Sequence, residues 1–395
     1  MKHSVPVAQA PVAASEAVIR GERIALVHDW LPVVAGGERV LQQMARCTPG
    51  SDIYTLFNFL PEEVTRDVFG ADHKIHTSGL NDLPLVEQYY RFLLLQSTRA
   101  IEGFDLSEHD VVLSSSAALA KGVITGPGQL HVSYVHSPAR YAWDLTHEYI
   151  ATVGGKLGGL KRAVAREMMH RFRLWDMRTA QSVDHYLANS QFIARRIWKI
   201  YRREAQVIYP PVNTGNFVPG TAARGDHFVT ASRLVPYKRV EMIVEAFNRR
   251  PDLRLRVIGD GPDMKKVGQI AGPNIEILGH IPFEQLIAEF QTARAFVFAA
   301  LEDFGIVPVE AQACGTPVIC LGKGGTAETV RPLGGSAATG VWFEEQTPES
   351  LVAAIDRFVE GESDIRSEDC IANAASFGEE RFRQQYSDCV NSLIS

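Results

Sequence analysis

Short apolar runs alternate with segments of helical spacing along almost the whole chain, and this alternation limits the fold more than any other feature. Ile24-Ala25-Leu26-Val27 is apolar at every position, as a parallel strand covered by helices on both faces must be. Runs at 52–56, 111–115, 132–135, 183–188, 228–232, 255–258, 275–278, 295–299 and 318–321 repeat the pattern, with helical periodicity between many of them. Strand and helix taken in turn predict parallel sheets with crossover helices. At 395 residues the chain is long enough for two such domains.

The most informative stretch runs from Ala295 to Ile319. The strand-like Ala295-Phe296-Val297-Phe298-Ala299 leads into an acidic turn, Glu302-Asp303-Phe304-Gly305, and then into helical spacing over 307–314. Gly315 sits where a C-cap glycine belongs, with Pro317 just beyond. Two carboxylates, Glu302 and Glu310, lie eight positions apart. As helix that span covers about 12 Å. Between them lies a helix start, where backbone N–H groups favour a phosphate. The plain alternative is two surface glutamates flanking a core helix.

Glu302-x7-Glu310 with Phe304-Gly305 inside it, followed by Ala313-x-Gly315-x-Pro317-Val318, resembles the retaining, metal-independent GT-B glycosyltransferases of family 4. The resemblance implies an α/β chain of two Rossmann-like domains facing an interdomain cleft. In that family the first Glu faces the donor sugar and the second holds the ribose, so Glu302 is expected at the sugar and Glu310 at the ribose. The amides of Asp303, Phe304, Gly305 and Ile306 are expected on the diphosphate.

Other positions extend the likeness from about Arg23 onward. Arg233 and Lys238 share one loop after a strand and resemble the family's diphosphate clamp. A guanidinium fork and an ammonium point charge can converge there on one anion; idle surface cations are the plain alternative. Gly259-Asp260-Gly261-Pro262 permits close backbone approach on the nucleotide side, although an ordinary strand-to-helix turn looks similar. In similar proteins the backbone at His280 and Ile281 reads the nucleobase. Gly36-Gly37, between a strand and a helix, lines the cleft near the diphosphate in the family, and alone reads equally as a tight turn. It is not GxGxxG, which disfavours a nicotinamide cofactor. His136, just past a parallel strand, matches a family histidine on the donor sugar; a buried structural histidine is the other reading. Gly324-Gly325-x-x-Glu328 resembles a turn common after the double-carboxylate segment.

A mannosyltransferase-like subgroup of polysaccharide assembly is indicated by Val27-His28-Asp29-Trp30-Leu31, Gly36-Gly37-Glu38, and Pro138, Arg140, Tyr141 and Trp143. That subgroup implies GDP-mannose as donor and a polyprenyl-diphosphate-linked oligosaccharide as acceptor. UDP-glucose or another nucleotide sugar stays open, as does a nucleotide-sugar 2-epimerase of the same shape. The expected catalytic set is His136, Glu302, Arg233 and Lys238, with no cofactor. No Asp-x-Asp pair occurs, so no metal is expected to clamp the nucleotide. No side chain is an evident nucleophile, and front-face transfer with retention is expected, the leaving diphosphate taking the acceptor proton.

Hydrophobic content of 46%, charged content of 22% and a net charge of -6 describe an ordinary globular protein with no global reason to bind nucleic acid. Five scattered cysteines without a CxxC pair read as free thiols in a reducing compartment. Residues 1–20 read as a flexible tail, 21–205 as the acceptor-side domain and 206–376 as the donor domain. The last helix, 377–395, is expected to pack back on the first domain. Tyr89-Tyr90-Arg91-Phe92-Leu93-Leu94-Leu95 and a basic amphipathic segment, 156–178, suit a peripheral place on the cytoplasmic face of a membrane. An ordinary solvated helix fits the second segment as well.

Overall fold

The structure is a computed structural model that describes residues 17–20, 23–152, 154, 158–221 and 223–394. Most of the expected tail, 1–16, lies outside them, as does Lys156. The chain divides into two compact units. One takes the chain up to Pro211 and resumes at Phe382; the other runs from Val212 to Arg381.

The first unit is built on seven parallel strands. They are β1 (Ile24–His28), β2 (Asp52–Thr55), β3 (Ile75–Thr77), β4 (Val111–Ser116), β5 (Leu130–Val135), β6 (His185–Ala188) and β7 (Gln206–Val207). Their order is β3-β2-β1-β4-β5-β6-β7. Every residue of β1 and β4 is buried, and both runs are apolar apart from His28 and the three serines, Ser114, Ser115 and Ser116, that close β4. The pairing is in parallel register throughout, with Leu26 opposite both Ile53 and Leu113.

The second unit carries β8 (His227–Ala231), β9 (Arg254–Ile258), β10 (Ile275–Gly279), β11 (Ala295–Phe298), β12 (Val318–Leu321) and β13 (Gly340–Phe343). They form a six-stranded parallel sheet in the order β10-β9-β8-β11-β12-β13. Its core joins Phe228, Leu255, Val257 and Val297 to Ile243, Phe247, Leu351 and Phe358 of the covering helices. Both sheets are therefore doubly wound, and together they are the two Rossmann-like domains of a GT-B fold.

Four local expectations shift. β7 pairs with β6, so the first sheet extends beyond residue 205 and the chain changes units after Pro210-Pro211. The end of the presumed tail is anchored, because Ile19 is buried and its N–H donates to Cys47 O at 2.8 Å. Gly36 and Gly37 are the first turn of the helix Gly36–Cys47 and not a loop before it. The helix Gly158–Thr179 is less cleanly amphipathic than its sequence suggests: Phe172 is buried while Leu160, Val164 and Leu174 are exposed. Phe382, Tyr386 and Val390 of the last helix pack with β1, β4 and β5 of the first unit, next to Leu26, Leu113 and Tyr134. All five cysteines are buried and unbridged.

Candidate active site

Ligands of doubly wound sheets gather at the carboxyl ends of the strands, where the strand order reverses. That point lies between β8 and β11 in the second unit and between β1 and β4 in the first. The chain segments leaving β8 and β11 carry Arg233, Lys238 and Glu302. Those at β1 and β4 carry His28, Asp29 and Ser115.

In the second unit the 232–234 segment continues beside the end of β9. Ser232 N donates to Ile258 O at 3.1 Å and Leu234 N to Asp260 O at 2.9 Å. Gly259 and Gly261 make this approach possible. A Cβ on Gly259 would lie 1.8 Å from Ser232 O, and one on Gly261 would lie 2.3 Å from Leu234 O. The close backbone approach read from these glycines is thus made by the chain itself, and it sets the position of the cationic loop. Among the described residues nothing engages the exposed Arg233 guanidinium.

Lys238 ends the short 3-10 turn Pro236–Lys238. Its ammonium lies 2.5 Å from Glu302 Oε1 and over the rings of Tyr237 and Phe298, at 5.6 and 5.4 Å. Both side chains are mostly covered, so their attraction is screened less than at an open surface. The first carboxylate and the second cation of the expected constellation therefore touch, 64 residues apart in sequence.

The turn after Glu302 is held from behind by Gly324 and Gly325. Gly325 N donates to Glu302 O at 2.9 Å. A Cβ on Gly324 would come within 2.6 Å of Glu302 O, and one on Gly325 within 2.2 Å of Phe304 Cα. Gly305, at φ +90, caps the helix Ile306–Ala313, and Glu310 lies half-buried in its second turn. The ring of Phe304 is buried 5.6 Å from Phe377, so only its backbone is available to a ligand. His280 and Ile281 follow β10, the sheet edge, two strands from β8; His280 is exposed. Sequence inspection misses the buried amides behind the helix. Asn373 Nδ2 donates to Gln312 Oε1 at 2.7 Å and to Thr329 O at 2.8 Å, a contact with no local sequence signal.

In the first unit the side chains of three strand ends converge. His28 Nδ1 lies 3.0 Å from Ser115 O and 3.1 Å from Ser115 Oγ. A carbonyl only accepts, so Nδ1 of His28 carries the proton. Ser115 Oγ lies 2.8 Å from His136 Nε2. Gly37 packs against this pair: a Cβ there would meet both imidazoles at 3.8 Å, an ordinary van der Waals contact. Burial, reinforced by neighbouring His28, pushes the pKa of His136 down to about 3, so its ring is neutral at physiological pH. Burial also holds the Glu38 carboxyl above its usual range, although Ala35 N donates to its Oε2 at 3.1 Å. Asp29 is wholly enclosed: its two oxygens accept from the N–H groups of Ala117, Ala118, Leu119 and Ala120 at 2.6–2.9 Å. His28, Asp29 and Ser115 were absent from the expected site because their partners lie some 90 residues away.

Burial also pushes His131, on β5, down to about 4. A folded histidine depressed in this way resists a proton that the unfolded chain accepts below about 6.5. Stability is therefore expected to fall as pH drops from about 6.5 towards 4, by about 1.4 kcal/mol per unit for each of His131 and His136. Urea midpoints measured at pH 7.5 and 5 check this. The His131→Gln, His136→Gln double variant should lose most of the difference.

Residues 217–377 match the family model described as glycosyl transferases group 1. A GDP-mannose-dependent monoacylated alpha-(1-6)-phosphatidylinositol monomannoside mannosyltransferase of Corynebacterium glutamicum is 33% identical over 124 residues, 28% of this chain and 32% of that protein. A D-inositol 3-phosphate glycosyltransferase of Geodermatophilus obscurus is 29% identical over 276 residues, 62% of this chain and 60% of its relative. The chain thus spans less than two thirds of these relatives. Among solved structures, Anabaena HepE in complex with UDP and glucose superposes with a TM-score of 0.66, at 16% identity, over 94% of this chain and 100% of that one.

Proposed function

We propose that this chain is a retaining family 4 glycosyltransferase that moves mannose from GDP-mannose to a polyprenyl-diphosphate-linked oligosaccharide. The 2.5 Å contact between Lys238 and Glu302 carries the reading, because it sets a phosphate-binding cation beside a sugar-orienting carboxylate. The group 1 match over 217–377 contains both residues and supports it. The mannosyltransferase relative favours GDP-mannose. The likeness to a structure holding UDP and glucose keeps UDP-glucose as the second donor to test.

The order of strand ends gives the donor a direction. From β10 to β11 the row reads His280-Ile281, Gly259-Gly261, Arg233, then Glu302. At about 4.8 Å per strand these ends span about 14 Å, enough for a nucleotide sugar laid across them. The base would lie at His280 and Ile281, the diphosphate between Arg233, Lys238 and the first amides of the helix Ile306–Ala313, and the hexose at Glu302. Glu310 would hold the ribose.

In transfer the bond from the anomeric carbon to the phosphate oxygen breaks, and the electron pair leaves with the diphosphate. The acceptor hydroxyl bonds to the same face, and its proton passes to a diphosphate oxygen. Arg233 and Lys238 offset the charge that develops there, so the clamp acts without a metal or cofactor. Glu302 orients the sugar hydroxyls. His136, neutral, offers a hydrogen bond to the sugar rather than a charge. The first unit would meet the acceptor, with the protein resting peripherally on the cytoplasmic face of the inner membrane. Exposed Leu85 and Phe92, with Arg91 between, suit such a surface. Among the described residues no helix is long and apolar enough to cross a membrane.

Calorimetry with GDP-mannose, UDP-glucose and UDP-GlcNAc in EDTA, followed by transfer to a lipid-linked acceptor extract, tests the proposal. GDP-mannose is expected to bind and to yield an α-linked product only when acceptor is present. Conversion of a nucleotide sugar without acceptor would refute transfer. Glu310→Ala is expected to weaken donor binding about tenfold or more, with little change in kcat, through loss of charged hydrogen bonds to the ribose.

A further inference from the structure

The segment Ser137 to Asp144 follows His136 and has no part in the chemistry above. Its fastenings show what it does. Asn189 Nδ2 donates to His136 O at 2.8 Å, Arg173 Nη1 to Ala142 O at 2.9 Å, and Trp143 Nε1 to Asp176 Oδ2 at 2.7 Å; Asp144 pairs with Arg196. Two of these holds come from the helix Gly158–Thr179.

Asp176 is fully buried, and a buried carboxylate is costly unless matched. Lys121 Nζ lies 2.5 Å from its Oδ1, and Tyr201 Oη donates to Oδ2 at 3.0 Å. Lys121 is itself buried and sits over the rings of Trp175 and Tyr201, at 5.1 and 5.3 Å. It belongs to the 3-10 turn Ala120–Gly122, which continues the stretch of N–H groups wrapped around Asp29. That stretch leaves β4, the strand of Ser115, whereas Trp143 lies on the segment that leaves β5 through His136. One carboxylate thus ties both segments whose parent strands present the Ser115–His136 contact.

We propose that Asp176 is a positioning residue for the Ser115–His136 pair, acting through Trp143 on one segment and Lys121 on the other. The proposal rests on the reading that the first unit takes part in glycosyl transfer. Replacing a buried ion pair with apolar side chains is often neutral or stabilising, so net stability alone does not account for a charged hub here. Its fixed fan of donors sets the direction in which His136 faces the substrate.

Trp143→Phe removes one donor but leaves Lys121 and Tyr201 on the carboxylate, so no buried charge is stranded. Asp176→Asn is the stronger variant; where it fails to fold, Trp143→Phe decides. Three readouts are taken on the full chain: GDP-mannose calorimetry, transfer to the lipid-linked acceptor, and 15N spectra of the histidine rings. Trp143→Phe is expected to lower kcat/KM for the acceptor about tenfold or more. Its GDP-mannose Kd should rise less than acceptor kcat/KM falls, since His136 meets only the sugar and the diphosphate clamp is unaltered. The His136 ring nitrogens should shift. Wild-type acceptor kinetics together with unmoved His136 signals would overturn the proposal. If the unaltered protein neither binds nor transfers from any nucleotide sugar, the functional reading fails. The His136 signals of Trp143→Phe still decide the positioning claim in that case.

Discussion

Lys238→Met is expected to reduce kcat/KM for transfer by about 10²–10³-fold. That is the scale seen when one preorganised group stabilising transition-state charge is removed. The ammonium sits against Glu302 at 2.5 Å, so its place is set before any donor arrives. Arg233, exposed and unengaged among the described residues, would remain and bind part of the diphosphate, leaving GDP-mannose affinity less affected than turnover. The fold should persist, because Met keeps the apolar stem between the two rings and Glu302, at 24% exposure, still reaches water. Lys238→Arg should restore little, since a planar fork cannot reproduce a compact charge between two rings. Steady-state transfer with calorimetry on the same samples makes the comparison. Turnover within about threefold of the parent would remove Lys238 from the clamp.

Gly259→Ala should damage both stability and donor binding. The glycine adopts φ +127, which other residues rarely occupy, and its added Cβ would fall 1.8 Å from Ser232 O. Neither backbone can yield alone: Gly259 N donates to Gly279 O at 2.7 Å, and Ser232 N is bonded to Ile258 O. Strain and overpacking together should cost about 3 kcal/mol. The movement falls on the segment bearing Arg233, so GDP-mannose affinity should drop more than the loss of folded protein explains. Thermal denaturation with and without the nucleotide separates the two effects. A variant with unchanged melting temperature and unchanged Kd would show that the two segments do not need this approach. Ala at Gly50, whose φ is also positive but whose added Cβ meets nothing within 4 Å, is the control for backbone strain alone.

What the sequence made legible was local. The passage from β11 through Gly305 to the helix Ile306–Ala313 and on to β12 could be read because apolar run, glycine and helical spacing follow one another within 27 residues. The same logic located β1, β4, β5, β8 and β9. The very short β7 was harder, since two residues carry no periodicity, and its pairing with β6 moved the change of unit beyond the double proline. Contacts between distant positions were invisible. Asp29 reads only as part of a subgroup match after β1, and only the fold brings four N–H groups from 117–120 onto it. Asp176 carries no local sequence signal, yet it is the most enclosed carboxylate of its helix. Gly259 and Gly261 were read correctly as points of close approach, while the partner they admit is their own chain.

The central claim is that a nucleotide sugar lies across the carboxyl ends of the second sheet, phosphates on cations and sugar on a carboxylate. A crystal structure of the protein soaked with GDP-mannose in EDTA tests it most directly. Diphosphate oxygens are predicted within about 3 Å of the Arg233 and Lys238 nitrogens, with the ribose hydroxyls at Glu310 and the mannose at Glu302. GDP-mannose bound at any other place, with Lys238 and Glu302 still clasped and no phosphate near Arg233, would contradict it.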